Sequence, residues 1–157
     1  MKCLGGVEVK LSTKGRYGVK AMMDLAIHYG NNPISIKSIS ERQGISEYYL
    51  EQLFAPLRRA KLVKSVRGAQ GGYILNRLPK EITVLEIMDV LEGPVEISDC
   101  LTNDECDYLE ACATRVLWAK IRDSINSVMA DVTLQDMLND YRKMQATPIK
   151  EGIFLND

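Results

Sequence analysis

The sequence has 157 residues, of which 46% are hydrophobic and 26% are charged. These are the proportions of an ordinary globular chain, and they exclude a fibrous or intrinsically disordered protein. No apolar run approaches the roughly 18 residues that a membrane span needs, and the N-terminal stretch lacks the apolar core of a signal peptide. The composition therefore predicts a cytoplasmic protein whose four cysteines stay reduced and form no disulfide framework.

Charge is distributed very unevenly along the chain. Residues 1–80 carry 14 Lys and Arg against 5 Asp and Glu, whereas residues 81–157 carry 6 against 16. A basic half of this kind indicates contact with a polyanion, and the overall net charge of −1 conceals it. The alternative is that both halves are ordinary solvated surfaces, so the motifs along the chain must decide between the two.

Three helices are predicted in the first 60 residues. The first has apolar residues at helical spacing and stops at the turn-forming cluster over residues 30–33. Ser35 is placed to cap a short second helix that ends at Gly44, and Ser46 is placed to cap a third. A helix, a glycine turn and a second helix form the helix-turn-helix pattern of DNA-binding proteins. Pro56 lies inside the third helix, where we expect a kink or a local break.

A β-hairpin is predicted directly after the third helix. Residues 62–66 and 73–75 are strand-like, and glycines at positions 68, 71 and 72 mark the turn between them. A hairpin in this position after a helix-turn-helix is a wing. Arg67 lies at its tip, where its side chain can enter a minor groove or bind a phosphate. The first 80 residues therefore predict a winged-helix DNA-binding domain.

The second half of the chain is predicted to be helical. Thr83 and Glu86 form a capping box for a helix over residues 84–92, and Thr133 with Asp136 caps a last helix that runs to about residue 143. Because helix-turn-helix proteins commonly dimerise to read two half-sites, we expect a long intervening helix from about residue 114 to form a homodimer contact; packing within one chain is the alternative. The apolar stripe on this helix comprises Leu117, Trp118, Ile121, Ile125, Val128 and Met129.

The predicted fold class is mainly α with a small β-hairpin: a winged helix-turn-helix followed by a long dimerisation helix. We divide the chain into an N-terminal extension (1–10), a DNA-binding domain (11–80), a region with a linker helix, a cysteine loop and dimerisation helices (81–143), and a C-terminal tail (144–157). No nucleophile elbow, P-loop or zinc-protease motif is present, and a single histidine leaves little material for general-base chemistry. We therefore predict that the protein is not an enzyme.

Three cysteines fall in the turn-rich stretch over residues 94–112, which we term the cysteine segment. Cys100, Cys106 and Cys112 are separated by five residues each, and six acidic residues accompany them without any Lys or Arg. Thiolates are the usual protein ligands of iron–sulfur clusters, and a metal centre would relieve the repulsion between thiolates and carboxylates. We predict an iron–sulfur cluster here, with a zinc site, a metal-free thiol sensor or three incidental cysteines as the alternatives.

These features together resemble a known family. The segments LSTKGRYGVKAMMDLA (11–26) and ISERQGISEYYLEQLFAPLRRAKLVKSVRGAQGGY (39–73), with the cysteine triplet, are similar to the IscR-type iron–sulfur cluster regulators of bacteria. Those regulators belong to a wider winged-helix repressor family that includes the nitric-oxide sensor NsrR and the cysteine-metabolism repressor CymR. The resemblance covers about residues 10–143.

The resemblance implies a homodimer that binds a double-stranded DNA operator and holds a cluster, of the [2Fe-2S] type, on the three cysteines. It implies that Tyr48, Glu51 and Gln52 face bases and that Arg67 is the arginine of the wing. A glutamate at position 51 helps regulators of this type to discriminate one operator class from another. The residues predicted to contact DNA are Lys14, Arg16, Ser46, Tyr48, Tyr49, Glu51, Gln52, Arg59, Arg67, Gly68 and Gln70.

The sequence departs from the family pattern at the fourth cluster ligand. IscR-type regulators have a histidine three residues after the third cysteine, where this sequence has Arg115. Nitric-oxide sensors use an N-terminal aspartate, where this sequence has Arg16. The fourth ligand is therefore left unassigned. The CymR branch implies the alternative function, a winged-helix repressor without a cluster that is regulated by a partner protein or by thiol oxidation.

Overall fold

The computed structural model describes residues 12–98, 101 and 112–146. Within these residues no helix is long and apolar enough to cross a membrane. The described residues contain six α-helices, the short 3-10 helix Pro79–Glu81 and one two-stranded antiparallel sheet, which confirms the predicted fold class. The elements are α1 (Thr13–Ile27), α2 (Ile36–Gln43), α3 (Glu47–Arg59), β1 (Val63–Val66), β2 (Gly72–Leu75), the 3-10 helix (Pro79–Glu81), α4 (Val84–Glu92), α5 (Ala113–Asp131) and α6 (Leu134–Ala146).

Serine caps begin the first three helices. The hydroxyl of Ser12 accepts the backbone N–H of Gly15 at 3.1 Å, and Ser35 caps α2 in the same way. Ser46 begins α3, as the sequence predicts, and Gly44 ends α2 with a left-handed φ of +64°. Such side-chain caps satisfy N–H groups that have no partner inside the helix, and a left-handed residue suits glycine. The helix-turn-helix is thus confirmed at its boundaries.

Pro56 does not interrupt α3, so the predicted break is wrong. The helix continues through this residue to Arg59. Proline removes one backbone hydrogen bond, here the one to the carbonyl of Gln52, which is a solvent-exposed residue. Burial of Leu53, Phe54 and Leu57 on the other face holds the helix together across that missing bond, because each of these side chains has a relative exposure of 0%.

Both predicted capping boxes form. The backbone N–H of Thr83 donates to Glu86 at 3.0 Å, and that of Thr133 donates to Asp136 at 2.9 Å. Burial alone would raise the pKa of Glu86, but hydrogen bonds from Thr83 and an ion pair with Arg77 lower it below the ordinary value of 4.5. The helices that these boxes begin, α4 and α6, start as expected, and α6 extends three residues beyond the predicted end, to Ala146.

The two capping boxes lie side by side. Thr83 and Thr133 pair as an isolated antiparallel bridge, and the neighbouring backbone supplies two hydrogen bonds of 2.9 Å, from Val84 N–H to the carbonyl of Val132 and from Leu134 N–H to that of Ile82. The start of α4 is therefore fixed against the junction between α5 and α6. We term this backbone pairing the 83/133 joint.

A single hydrophobic core unites the two halves of the chain. Phe54 of α3 and Met22 of α1 are fully buried in it together with Ile87 of α4 and Leu134 of α6. Helix α6 packs against α1 and the 3-10 helix, and α4 packs against both α1 and α3. The last helix therefore belongs to the same packed body as the helix-turn-helix.

Helix α5 is much longer than the helix that it packs against. It has 19 residues whereas α4 has 9, and the C-terminal end of α5 meets the start of α4 at the 83/133 joint. At 1.5 Å per residue the two helices are roughly 28 Å and 13 Å long, so α4 can cover only part of α5. The N-terminal end of α5 begins directly after the last cysteine of the cysteine segment.

Candidate nucleic-acid interface and cysteine segment

Helix α3 divides cleanly into a buried face and an exposed face. Leu50, Leu53, Phe54 and Leu57 are buried in the core. The opposite face presents Tyr48, with a relative exposure of 71%, together with the exposed side chains of Glu51, Gln52 and Arg59. The N-terminal residues of a recognition helix are those that reach base edges in the major groove. The exposed first turns of α3 therefore have the composition and position of a DNA-reading surface.

Two of the predicted DNA contacts also hold α3 in place. The hydroxyl of Ser46 accepts the N–H of Tyr49 at 3.3 Å. The half-buried ring of Tyr49 meets Tyr17 of α1 edge to face, with centroids 5.9 Å apart and an interplanar angle of 85°. Aromatic pairs favour this arrangement. Tyr49 thus joins the first turn of α3 to α1.

A buried carboxylate fixes the helix that precedes α3, and the sequence analysis missed it. Asp24 of α1 has a relative exposure of 1% and accepts two hydrogen bonds from Arg42, at 2.6 and 3.0 Å, and one from Gln43 at 2.9 Å. The side-chain hydrogen bonds to Asp24 raise the pKa of the Arg42 guanidinium. The only sequence signal was an acidic residue inside an apolar helix face, and such a residue requires a partner.

The wing is joined to the helix-turn-helix by backbone hydrogen bonds. Residue Ile34, just before α2, pairs with Tyr73 of β2 through N–H to O distances of 3.0 and 2.8 Å. Gly72 permits this approach, because a Cβ there would lie 2.2 Å from the carbonyl oxygen of Ile34. The rings of Tyr73 and Phe54 stack with centroids 4.4 Å apart. We term this contact the 34/73 bridge; it fixes the wing relative to α2 and α3.

The turn of the wing is exposed and glycine-rich. Strands β1 and β2 pair from Val63–Leu75 to Val66–Gly72, and the turn between them places Arg67 and Gln70 in solvent. Gly68 has a φ of +118°, which side-chain-bearing residues rarely adopt. The predicted wing residues therefore occupy one tight, accessible loop.

The start of α1 carries Lys14 and Arg16 and contacts the end of α4. Both basic side chains are exposed. The hydroxyl of Ser12, which caps α1, donates to the carboxylate of Glu92 in the last turn of α4. Gly15 and Gly18 let the two helices approach closely: a Cβ at Gly18 would lie 2.0 Å from a methyl group of Leu91. A movement of the end of α4 would therefore displace the start of α1, which carries the two basic side chains.

Cys112 is the one member of the cysteine triplet among the described residues; Cys100 and Cys106 lie outside them. It occupies the N-cap position of α5. Its Sγ lies 3.0 Å from the hydroxyl of Thr114, whose hydrogen bond, with a further one from the backbone N–H of Arg115, lowers the pKa of the thiol. No group of three potential metal-ligating side chains occurs within the described ranges. The environment of Cys112 favours the thiolate, the form in which cysteine binds metals.

Helix α5 exposes apolar side chains near both of its ends. Val116, Leu117 and Val128 have relative exposures of 57%, 49% and 65%. Of the 19 residues of α5, Met129 alone is buried. A shallow apolar groove of about 460 Å³ runs along the helix, lined by Lys120, Ile121, Ser124, Ile125, Val128 and Met129. Contiguous exposed apolar surface of this kind is typical of a protein–protein contact.

A helix-turn-helix followed by a wing, with an exposed polar face on the second helix, defines a winged-helix DNA-binding protein. The comparison with known families identifies which one. Residues 11–140 match the model of the Rrf2 family, described as iron-dependent transcriptional regulators, and the chain belongs to this family of transcriptional regulators.

Similar proteins fall on two branches of the family. The chain is 47% identical over 129 residues to the HTH-type transcriptional regulator CymR of Bacillus subtilis, covering 82% of this chain and 89% of that protein. Among solved structures it resembles IscR of T. potens, with a TM-score of 0.75, 50% identity and coverage of 91% and 96% of the two chains. It also resembles CymR, the global cysteine regulator of B. subtilis, with a TM-score of 0.72, 45% identity and coverage of 84% and 98%. These relatives are regulators and not enzymes, as the sequence predicts.

Proposed function

We propose that the protein is a homodimeric regulator that reads operator DNA with α3 and the wing, and whose DNA binding depends on an iron–sulfur cluster held by Cys100, Cys106 and Cys112. The observation that carries the metal-dependent part is the environment of Cys112. Cys112 occupies the N-cap position of α5 and the pKa of its thiol is lowered, which suits a metal ligand. The description of the family as iron-dependent agrees with this assignment.

The DNA-reading surface has three parts. Tyr48, Glu51 and Gln52 face the bases of the major groove from the exposed side of α3, while Ser46 and Tyr49 hold its first turn in position. At the wing, Arg67 extends from a turn whose backbone can approach the sugar-phosphate chain at Gly68, with Gln70 beside it. The basic side chains Lys14, Arg16 and Arg59 supply contacts to phosphates.

The donor set of the cysteine segment fits a cluster. Three thiols are available, and the one that is described is held in a thiolate-favouring position. When bound, the group supplies a redox-active, iron-dependent cross-link between three positions of the chain. Arg115 stands where IscR-type regulators have their fourth ligand, so a carboxylate of the segment or of the partner subunit completes the set in our proposal.

Dimerisation is assigned to α5. Val116, Leu117 and Val128 of this helix are exposed, and α4, which packs against it, is less than half its length. A two-fold contact along this helix would bury the groove and place two winged domains on one face of DNA, as half-site reading requires.

Contacts among α4, α1 and α3 suggest how a change in the cysteine segment can alter the position of α3. The segment joins the end of α4 to the start of α5, and Glu92 at the end of α4 is hydrogen bonded to the cap of α1. From α1, Tyr17 contacts Tyr49 in the first turn of α3. In our proposal, binding at the segment shifts the population between two poses of α4 and α5, and α1 transmits the change to α3.

The second candidate is a regulator that binds no cluster and responds to thiol oxidation or to a partner protein. The similarity to CymR, the global cysteine regulator of B. subtilis, favours it. The thiolate character of Cys112 serves this function equally well, because the thiolate is the reactive form of cysteine.

One experiment separates the two. The full-length protein is purified without oxygen, its visible absorption spectrum is recorded, and iron and sulfide are assayed. The triple variant C100A/C106A/C112A is compared with Cys3→Ala, which removes a thiol outside the triplet. Cluster sensing is supported if the wild type and Cys3→Ala are brown and contain stoichiometric iron and sulfide, whereas the triple variant has lost the colour, the iron and the sulfide. Colourless protein that cannot be reconstituted but still binds DNA supports the second candidate, and absence of DNA binding by every form contradicts both.

A further inference from the structure

Two carboxylates stand on the exposed face of α3. Glu47 is its first residue, and Glu51 follows one turn later. Both side chains are exposed, and neither enters an ion pair with a cation in the described part of the chain. Tyr48, which follows Glu47 in the sequence, is also exposed, with a relative exposure of 71%.

The spacing of the two carboxylates is slightly unfavourable for the helix itself. Like charges four residues apart on a helix repel each other. Both groups also oppose the approach of a phosphate backbone, although they lie in the basic half of the chain. A carboxylate in the first turn stabilises a helix through the helix dipole, which accounts for Glu47 taken alone. That effect falls off beyond the first turn and does not account for the pair.

An ionised carboxylate accepts hydrogen bonds and donates none, so only hydrogen-bond donors on base edges can pair with it in the major groove. There the only donors on base edges are the exocyclic amino groups of cytosine and adenine. A carboxylate on a recognition helix is therefore compensated when one of these amino groups faces it, and it is left desolvated and unpaired opposite other bases.

We propose that Glu47 is a further specificity-determining residue, which together with Glu51 selects duplexes that present an amino group to each carboxylate. This inference rests on the proposed function, in which α3 enters the major groove. Four residues of helix rise by about 6 Å, and stacked bases lie about 3.4 Å apart, so the two selected positions are about two base pairs apart. Glu47 reads the position nearer the N-terminus of α3.

The test is a selection of bound duplexes from a random library with the full-length protein and three variants, followed by affinity titration on the selected sequence. The variants are Glu47→Gln, Glu51→Gln and the control Glu41→Gln, which makes the same charge change at an exposed residue of α2. The wild type is expected to select cytosine or adenine at two positions about two base pairs apart in each half-site. Glu47→Gln should relax one of them by on the order of tenfold, Glu51→Gln the other, and Glu41→Gln neither.

The result that overturns the proposal is unchanged base preference in Glu47→Gln, or a change that Glu41→Gln reproduces. Thermal unfolding of each variant checks the remaining alternative: a lower Tm for Glu47→Gln with every base preference intact assigns Glu47 to helix stability only. Failure of the wild type to select any sequence contradicts the proposed function itself, and is recognised before the variants are compared.

Discussion

Replacing Gly72 by alanine tests whether the 34/73 bridge holds the wing in place. A Cβ at residue 72 would lie 2.2 Å from the carbonyl oxygen of Ile34, 2.4 Å from its carbonyl carbon and 2.8 Å from the backbone nitrogen of Ser35. These are backbone atoms, so no side-chain rotation relieves the overlap. The strand must move away from the residues that precede α2.

The expected loss of stability follows from the hydrogen bonds of the bridge. Separation breaks the bonds of 3.0 and 2.8 Å between Ile34 and Tyr73, each with a net contribution of about 1 kcal/mol. Replacing glycine by alanine also restricts the unfolded chain, which offsets about 0.4–1 kcal/mol of that loss. We expect the free energy of unfolding to fall by about 1–2 kcal/mol, which leaves a typical domain folded.

Urea unfolding followed by circular dichroism measures this loss, and DNA titration measures its consequence. Because the displaced wing no longer aligns with α3, operator affinity should fall by on the order of tenfold. Gly30→Ala is the control: its φ of +87° imposes backbone strain of about 1–2 kcal/mol, but the added Cβ has open space around it. Wild-type stability for Gly72→Ala, or equal loss of DNA binding in both variants, would refute the reasoning.

Three further predictions address the wing, the dimer contact and the helix cap. Arg67→Ala should weaken operator binding by roughly 1–3 kcal/mol in a fluorescence titration, and unchanged affinity would remove it from the interface. Leu117→Asp should convert the dimer that we propose to monomer in sedimentation experiments, whereas Met144→Asp, at a residue with 73% relative exposure on α6, should not. Because the folded-state pKa of Glu86 is lowered, its contribution to stability is present above its ordinary value of 4.5 and is lost as pH falls through the folded value. Glu86→Gln should therefore unfold in urea with a weaker dependence on pH below 4.5 than wild type, and identical profiles would contradict this.

Features carried by local sequence were predictable. Serine caps, the glycine that ends α2, and the two capping boxes each involve residues within four positions of one another, so the spacing alone indicates them. The wing was predictable for the same reason, since its glycines mark the turn and its strands flank it. Pro56 was misjudged because the local cost of proline is visible in sequence, whereas the burial that outweighs it is not.

Features that depend on distant residues were not predictable. Asp24 is 18 positions from Arg42, and Ser12 is 80 positions from Glu92, so neither pair has a sequence pattern. The 34/73 bridge was missed because residue 34 lies outside any strand-like run. At the candidate site, the residues on the exposed face of α3 could be predicted from helical periodicity. The contact between Tyr49 and Tyr17 could not, because it depends on how α1 packs against α3.

The 83/133 joint has a consequence for how such a regulator can change its signal. Helices α4 and α5 are fixed to each other at one end by backbone hydrogen bonds and by the caps of α4 and α6. The joint therefore fixes one end of each helix, and a change in the residues that connect their other ends can act on the helices by pivoting them about the joint. The length and chemistry of those connecting residues can vary while the joint stays in place. An architecture of this kind allows sensors of different chemical signals to evolve on one DNA-binding scaffold, by replacement of the single stretch of chain between α4 and α5.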